Sequence, residues 1–226
     1  MIRRPPRSTL SSSSAASDVY KRQEMKLTIG STCYVTFGRF QPPTTGHGAS
    51  FDAIATAARE GGHAGHYRIY LSQSNKPVKE NPIPADEKLA IMKKGFPKHA
   101  DHFYSSSKWN VIPAALEHVM TDHYRNCVYM CGSDRMNEPA MRFVIEHNGV
   151  QPKKGHYYNF WDMWMESSGS RDPEGKTFAM SGTKMRIAAQ KGDWDFFKKG
   201  CPPGLTEKQK KEWMDYLGGL LYGVKL

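Results

Sequence analysis

The sequence predicts an α/β fold, a doubly wound, mostly parallel five-stranded sheet with helices on both faces and a C-terminal helical extension. Short apolar runs alternate along the chain with segments of helical spacing, and clusters of Gly, Pro and Asn separate them. The chain has 226 residues, 38% hydrophobic and 12% aromatic, which is enough to bury the core of one domain. That domain is predicted over residues 24–200, and the extension over residues 201–226.

Each predicted strand is a short run of apolar or aromatic residues next to a turn-forming segment. The strands are predicted at Cys33–Phe37, Tyr67–Leu71, Asp101–Tyr104, Cys127–Cys131 and Tyr157–Met165. The fourth run reads CVYMC, and a strand that is apolar throughout is typical of the buried centre of a parallel sheet.

The predicted helices have apolar residues three and four positions apart, and several have recognisable start signals. They are predicted at Gly46–Arg59, Pro84–Lys94, Ile112–His123, Glu138–His147, Ser181–Gly192 and Thr206–Leu221. Ser181 is an expected N-cap, and Thr206 with Gln209 matches a capping box.

Residues 1–23 differ from the rest of the chain in composition. They are rich in Arg and Ser, contain one acidic residue, Asp18, and lack the apolar stretch of a secretory signal. The string resembles the translated sequencing-adapter read-through found in reading frames from environmental DNA, which makes Met25 the expected start. A transit peptide and a disordered tail are the alternatives. All three interpretations leave this segment outside the fold.

The composition limits the classes of function. No stretch approaches the run of about 18 apolar residues that a membrane span needs, so a soluble protein without a membrane partner is expected. Four cysteines fit no zinc-site spacing and favour a reducing compartment, the cytoplasm. Residues 1–23 carry four of the ten net positive charges, and the remaining +6 suits a phosphate-rich small ligand better than nucleic acid.

The ten residues Gly38–His47 form the most informative segment. They read GRFQPPTTGH and lie between the first predicted strand and the first predicted helix. In an open α/β sheet ligands bind beyond the carboxyl ends of the strands, and the unpaired N–H groups of a helix N-terminus attract phosphate. Gly38 and Gly46 allow the backbone to approach an anion closely, and His47 can donate a hydrogen bond to a phosphate oxygen. The alternative is a plain loop with a capping Thr and a surface His.

This segment resembles the first motif of the nucleotidyltransferases that share a (His/Thr)-x-Gly-His signature and transfer a nucleoside monophosphate from ATP or CTP. The Gly-Arg-Phe-Gln-Pro opening is most similar to nicotinamide mononucleotide adenylyltransferases. Thr44 is as in phosphopantetheine adenylyltransferases. The resemblance implies a Rossmann-like, cytidylyltransferase-like fold. It also implies nucleotide contacts from Gly38, Arg39, Phe40 and Gly46, and stabilisation of the α-phosphate by Thr44 and His47.

A second segment, Ser181-Gly182-Thr183-Lys184-Met185-Arg186, begins a predicted helix. Hydroxyl groups and free N–H groups at a helix start bind phosphate, and a guanidinium can bind two oxygens at once. The segment resembles the Ser-Ser/Thr-Thr-x-x-Arg motif of the same family, with Gly182 in place of the second hydroxyl residue. The resemblance implies that Ser181, Thr183 and Arg186 hold the β- and γ-phosphates. A helix cap with a solvated Arg is the alternative.

A third segment, Gly132-Ser133-Asp134-Arg135, follows the strand CVYMC. Glycine at a strand end admits a base or ribose, and a carboxylate can accept from hydroxyl groups. The family has a Gly-Ala/Ser-Asp turn at this place, so Gly132, Asp134 and Arg135 are expected to bind the nucleotide. The alternative is a turn with an Asx cap.

Two lysines and one arginine add positive charge near the same strand ends. Lys76 and Lys79 lie in the loop after the second strand, and Lys76 is the preferred partner of the α-phosphate. Arg171 lies before the second phosphate motif. His63, His66, His99 and His102 are spaced in pairs, but no carboxylate or Cys cluster accompanies them, so no metal site is predicted.

The resemblance covers about residues 33–200 and is strongest to virus- and phage-type members of the superfamily, which implies a bacterial or phage-infected cell. It implies that a substrate phosphate attacks the α-phosphate of ATP or CTP and that pyrophosphate leaves, with Mg²⁺ carried by the nucleotide. The expected partners are a nucleoside triphosphate and a phosphorylated small molecule. The sequence is compatible with a homo-oligomer and does not determine the oligomeric state.

Two other classes of function are compatible with the sequence. A module for RNA or single-stranded DNA would use the positive charge and exposed aromatic residues, and it would bind oligonucleotides in a salt-dependent way. A nucleotide sensor on the same fold would keep the phosphate motifs and release no pyrophosphate.

Overall fold

A computed structural model describes residues 31–169 and 180–226 of the chain. The interpretation of residues 1–23, the start at Met25 and the candidate Arg171 lie outside the described residues. None of the helices in the described ranges is long and apolar enough to cross a membrane.

Five parallel strands form the sheet, in the order β3-β2-β1-β4-β5. They are β1 (Thr32–Gly38), β2 (Tyr67–Leu71), β3 (Phe103–Tyr104), β4 (Asn126–Cys131) and β5 (Asp162–Ser167). The first four agree in place with the sequence prediction. The α/β class and the parallel five-stranded sheet are therefore confirmed.

The helices follow the strands in alternation over most of the chain. They are α1 (Thr45–Glu60), α2 (Ala85–Gly95), α3 (Ile112–Thr121), α4 (Pro139–Glu146), α5 (Gly182–Lys191), α6 (Trp194–Gly200) and α7 (Glu207–Leu220). Two 3₁₀ helices, Pro97–His102 and Ser107–Trp109, flank β3.

Alternate residues of β1 enter different cores. Cys33 and Val35 pack in a cluster with α3 and α4 residues, whereas Tyr34 packs in a second cluster that includes Phe51 and Ile54 of α1. Successive strand side chains point to opposite faces, so both faces of the sheet are covered by helices.

The C-terminal helices form a third core around α5. Met185, Phe197, Trp213 and Leu217 are buried together there. Ile83, from the loop between β2 and α2, packs in the same cluster. The C-terminal helices therefore contact a loop that begins at a strand end of the sheet.

The fifth strand begins later than predicted. Tyr158 and Phe160 are buried. The side chain of Asn148 forms hydrogen bonds with both backbone polar groups of Phe160: its Oδ1 accepts from the N–H at 2.8 Å, and its Nδ2 donates to the carbonyl at 2.9 Å. The aromatic pattern predicted burial correctly for these two residues but not for Trp161, which is 75% exposed. The backbone of Phe160 makes its bonds to Asn148 instead of to a neighbouring strand.

Helix α6 was not predicted from the sequence. The Asp193 side chain caps it by accepting from the N–H of Phe196 at 3.1 Å. An Asp before an apolar segment is an N-cap signal, so the sequence contained an indication of this helix.

Candidate functional site

The sheet reverses its direction of growth between β1 and β4. Strands β2 and β3 extend from one side of β1, and β4 and β5 extend from the other. Val35 pairs with Tyr129, so Gly38 and Gly132, three residues further along the two strands, lie level at the carboxyl edge. Two of the three predicted motifs therefore begin side by side at the switch point, where open α/β sheets bind ligands.

The first motif folds around the ring of Phe40. A Cβ on Gly38 would lie 2.5 Å from Phe40 Cζ, so Gly38 leaves the space that the ring fills. Phe40 has a φ of +47°, in the left-handed region that is costly for a residue with a Cβ. Its ring packs edge-on against His47 and Phe51, with centroids 5.0 and 5.5 Å away, and this burial offsets the backbone cost.

His47 has a structural role at the start of α1. Thr44 is the N-cap, and it forms a capping box with His47. The backbone N–H of Thr44 donates to His47 Nδ1 at 3.0 Å. Because Nδ1 accepts this bond, the proton of a neutral imidazole is on Nε2. The contact fixes the tautomer and leaves Nε2 as a hydrogen-bond donor.

Gly46 lies exposed in the first turn of α1, between Thr44 and His47. Among residues 31–169 and 180–226, a Cβ at this position would meet only Thr44 Oγ1, at 3.7 Å. Packing within the described protein therefore does not explain why position 46 is a glycine. The surface over Gly46 is open to a ligand that approaches the helix N-terminus.

Gln41 connects the first motif to the loop between β2 and α2. Its side chain donates to the carbonyl of Ile83 (2.9 Å) and accepts from the N–H of the same residue (3.0 Å). A longer contact reaches the carbonyl of Ser74 at 3.4 Å. Gln41 is buried, and sequence reasoning missed it because its partners lie more than thirty residues away.

The second motif contacts the first directly. Arg186 donates through Nη1 to the backbone carbonyl of Gln41 and through Nη2 to Thr183 Oγ1, at 3.1 Å for the second bond. A Cβ on Gly182 would lie 2.7 Å from the Gln41 carbonyl oxygen. Close packing against Gln41 therefore explains a glycine at position 182.

The start of α5 agrees with the prediction for Ser181. Ser181 Oγ accepts from the N–H of Lys184 at 3.2 Å and caps the helix. Arg186 is only 8% exposed, and its Nε is buried without an acceptor among the residues that the structure describes. The alternative interpretation of Arg186 as a solvated helix charge is therefore wrong, because the side chain is buried and joins the two motifs. Its contact with phosphate stays a prediction.

Charged side chains of the first motif and of the loop after β2 influence Arg186 at this junction. Burial and the positive charge of Arg39 lower the pKa of Arg186, and the nearby Glu80 opposes them. The side chains of Arg39 (62% exposed) and Glu80 (51% exposed) form an ion pair of 2.9 Å across the two loops. The net positive charge of Arg39, Glu80 and Arg186 favours a bound anion.

The third motif is an exposed turn at the end of β4. Asp134 is exposed, and Arg135 is paired with Glu138 at 3.2 Å. The N–H of Ser133 donates to the carbonyl of Gly169 after β5, at 3.2 Å. Because β4 is next to β1 in the sheet, the turn lies at the same edge as the first motif.

Lys76 and Lys79 are both exposed in the loop that Gln41 holds. The carbonyl of Lys76 accepts from Asn81 Nδ2 at 2.9 Å, which shapes the loop without directing either ammonium group. The loop adjoins the first motif, and the choice between these two lysines stays a prediction.

Sequence reasoning also missed Lys88, which is buried on α2 and contacts the backbone of both loops. Its position one helical turn before the buried Met92 placed it on the core side of the helix, and this spacing was the available signal. The late lysines of the same helix, Lys93 and Lys94, are exposed.

Across residues 31–169 and 180–226, there is no group of three or more His, Cys, Asp or Glu side chains that could hold a metal ion. The side chains around the first two motifs are hydroxyls, an imidazole, an amide and guanidinium groups, with one carboxylate, Glu80, paired with Arg39. Such a set binds anions, and hard cations such as Mg²⁺ prefer oxygen ligands, carboxylates above all.

Comparison with known proteins adds no family to this geometry. Models of known protein families do not match the chain, and no curated protein matches it. What the chain does is therefore inferred from its own residues.

Proposed function

We propose that this protein is a nucleotidyltransferase that transfers AMP from ATP to the phosphate of a small molecule and releases pyrophosphate. One observation carries the proposal: at the switch point the starts of α1 and α5 meet through Gln41, beside Arg186 and the ion pair of Arg39 with Glu80. Helix N-termini and arginine side chains suit a polyphosphate.

The transfer itself needs positioning and charge stabilisation. An oxygen of the acceptor phosphate attacks the α-phosphorus, a new P–O bond forms, and the bond to the oxygen that bridges to the β-phosphorus breaks. His47 donates from Nε2 to the α-phosphate as charge builds on it, and the N–H groups at the start of α1 assist. Thr44 orients His47, and Lys76 adds positive charge.

The leaving pyrophosphate is held by the second motif. The N–H groups at the start of α5, the hydroxyls of Ser181 and Thr183, and the charges of Arg186 and Arg39 surround it. Glu80 competes for Arg39 and must release it when phosphate binds. Gly132, Asp134 and Arg135 at the end of β4 contact the nucleoside.

Mg²⁺ accompanies the nucleotide in this proposal. Since the described side chains around the motifs form no carboxylate cluster, the ion is assigned to the phosphates and no step is assigned to it.

The test is pyrophosphate release from ATP and from CTP, each with nicotinamide mononucleotide, phosphopantetheine and other phosphorylated acceptors. Release with one acceptor, reduced in Arg186→Ala, supports the proposal and identifies the substrate. Tight ATP binding without release for any acceptor contradicts it and indicates a sensor. Salt-dependent binding of oligonucleotides without ATP binding contradicts it and indicates a nucleic-acid module.

A further inference from the structure

Lys88 lies inside the protein, on α2, with none of its surface exposed. Its ammonium donates to the backbone carbonyl of Arg39 at 3.0 Å and to that of Ser72. No salt bridge joins Lys88 to a carboxylate in the described parts of the chain. A positive charge is thus buried against two backbone carbonyls.

This burial is unfavourable unless the two hydrogen bonds offset it. Removing an ammonium from water is costly, and methionine would fill a similar space without that cost. Burial lowers the pKa of Lys88 to about 8. The contacts that offset the cost are both on loops at the carboxyl edge of the sheet.

The two carbonyls belong to neighbouring segments of the candidate site. Arg39 is the second residue of the first motif, and Ser72 is the first residue after β2. The N–H of Ser72 donates to the carbonyl of Gly38 at 2.9 Å, so Lys88 joins segments that already touch. Gln41 and Ile83 join the same two loops further along.

The contact with Arg39 also sets the orientation of the next peptide group. The peptide between Arg39 and Phe40 is planar, so the N–H of Phe40 points away from the carbonyl that faces Lys88. Phe40 has the left-handed φ of +47°, and such a conformation persists only where its surroundings determine it. The hydrogen bond from Lys88 to the Arg39 carbonyl is one of the contacts that determine it.

We propose that Lys88 is a positioning residue, which holds the Arg39–Phe40 peptide and the end of β2 in one arrangement before the nucleotide binds. This inference rests on the proposed function, because the loop it orders is the proposed phosphate-binding loop. A loop ordered in advance loses less entropy on binding, so ATP affinity depends on a residue that does not touch ATP.

The test compares Lys88→Met with Lys93→Met, the same substitution at an exposed position of the same helix. Amide hydrogen exchange of the free proteins measures the order of residues 38–44 and 72–83, and calorimetry measures ATP affinity below the melting temperature. Lys88→Met should speed exchange in both loops about tenfold or more, and weaken ATP binding by about tenfold to a hundredfold. Lys93→Met should resemble the parent in both measurements.

Unchanged exchange in the two loops overturns the proposal. Faster exchange with parental ATP affinity also overturns it, since a merely structural lysine affects stability and not the affinity of the folded protein. Lys88→Gln is shorter, keeps a polar end in the core, and gives the same comparison if Lys88→Met does not fold. A parent that releases no pyrophosphate contradicts the proposed function alone, because the exchange comparison uses no nucleotide.

Discussion

Arg186 on α5 donates a hydrogen bond to the backbone carbonyl of Gln41, which lies 145 residues earlier in the chain. The bond joins the loop after β1 to the helix after the last strand. Arg186 therefore has two roles: it is proposed to hold the leaving pyrophosphate, and it also fixes the loop after β1, which is proposed to hold the α-phosphate.

Arg186→Ala should therefore affect both stability and ATP use. Loss of the charge-assisted bonds leaves the Gln41 carbonyl without its partner, which costs about 1–3 kcal/mol of unfolding free energy. ATP affinity should fall by about tenfold to a hundredfold. Urea unfolding and calorimetry measure the two effects, and Lys191→Ala, exposed on the same helix, is the control. Parental ATP affinity in Arg186→Ala would assign the residue a structural role only.

His47→Asn separates capping from chemistry at one position. Asn can accept from the Thr44 N–H as Nδ1 does, but it has no donor at the place of Nε2. Stability should change little, while turnover falls by about 10²–10³ as for other lost transition-state donors. His47→Ala lacks the cap as well and should lose about 1 kcal/mol more in unfolding free energy. Parental turnover in His47→Asn would refute the catalytic role.

Gly46→Ala tests whether phosphate lies over the start of α1. Alanine meets nothing closer than 3.7 Å there, so the fold should remain and gain up to about 1 kcal/mol from better helix propensity. The added methyl should weaken ATP binding by at least tenfold if phosphate contacts the backbone here. Gly219→Ala, on α7 with open space around it, is the matched control for stability. Parental ATP affinity in Gly46→Ala would place the phosphate elsewhere.

Glu80→Gln should strengthen ATP binding. Glu80 is paired with Arg39, and an exposed pair of this kind contributes about 0.2–1 kcal/mol, so releasing Arg39 should raise affinity by about 1.5- to 5-fold. The gain should shrink at high salt, because salt screens exposed charges. Glu60→Gln changes the net charge equally at the far end of α1 and should leave affinity unchanged. Equal effects of both variants would indicate a general charge effect.

The protein should lose stability as the pH falls below about 6.5, partly through His99. Burial lowers the pKa of His99, although Asp52 at 3.2 Å opposes this shift, and Tyr67 lies 2.9 Å from the other ring nitrogen. Between the lowered pKa of His99 in the folded protein and its ordinary pKa in the unfolded chain, the unfolded chain binds more protons. The contribution of His99 to stability is therefore present at neutral pH and is lost as the pH falls.

Urea unfolding at pH 7.5 and pH 5.5 measures this loss. His99→Gln should lose less stability between the two pH values than the parent. Some loss should remain in the variant, since burial also lowers the pKa of His66 and of His118. A parent and a variant with the same pH dependence would exclude His99 as a source.

The sequence determined the fold class and the places of the motifs. Apolar runs such as Cys127–Cys131 and the spacing in Gly46–Arg59 are local patterns, and period 2 or 3.6 assigns them to strand or helix. Because parallel strands end at one edge, Gly38 and Gly132 were expected together before any contact was known. The caps at Ser181 and Thr206 are local as well, and they formed as predicted.

Only the tertiary structure decided what the motif side chains touch. Nothing in the local sequence distinguishes Arg186 from a solvated helix charge. Helical spacing places Lys88 on the core side of α2, unlike Lys93 and Lys94, but it does not identify the carbonyls that Lys88 contacts. Their partners, the carbonyls of Gln41 and Arg39, are 145 and 49 residues away, and packing of distant segments brings them within reach. Periodicity specifies which face a side chain is on, whereas hydrogen-bond partners across the fold depend on how the elements pack.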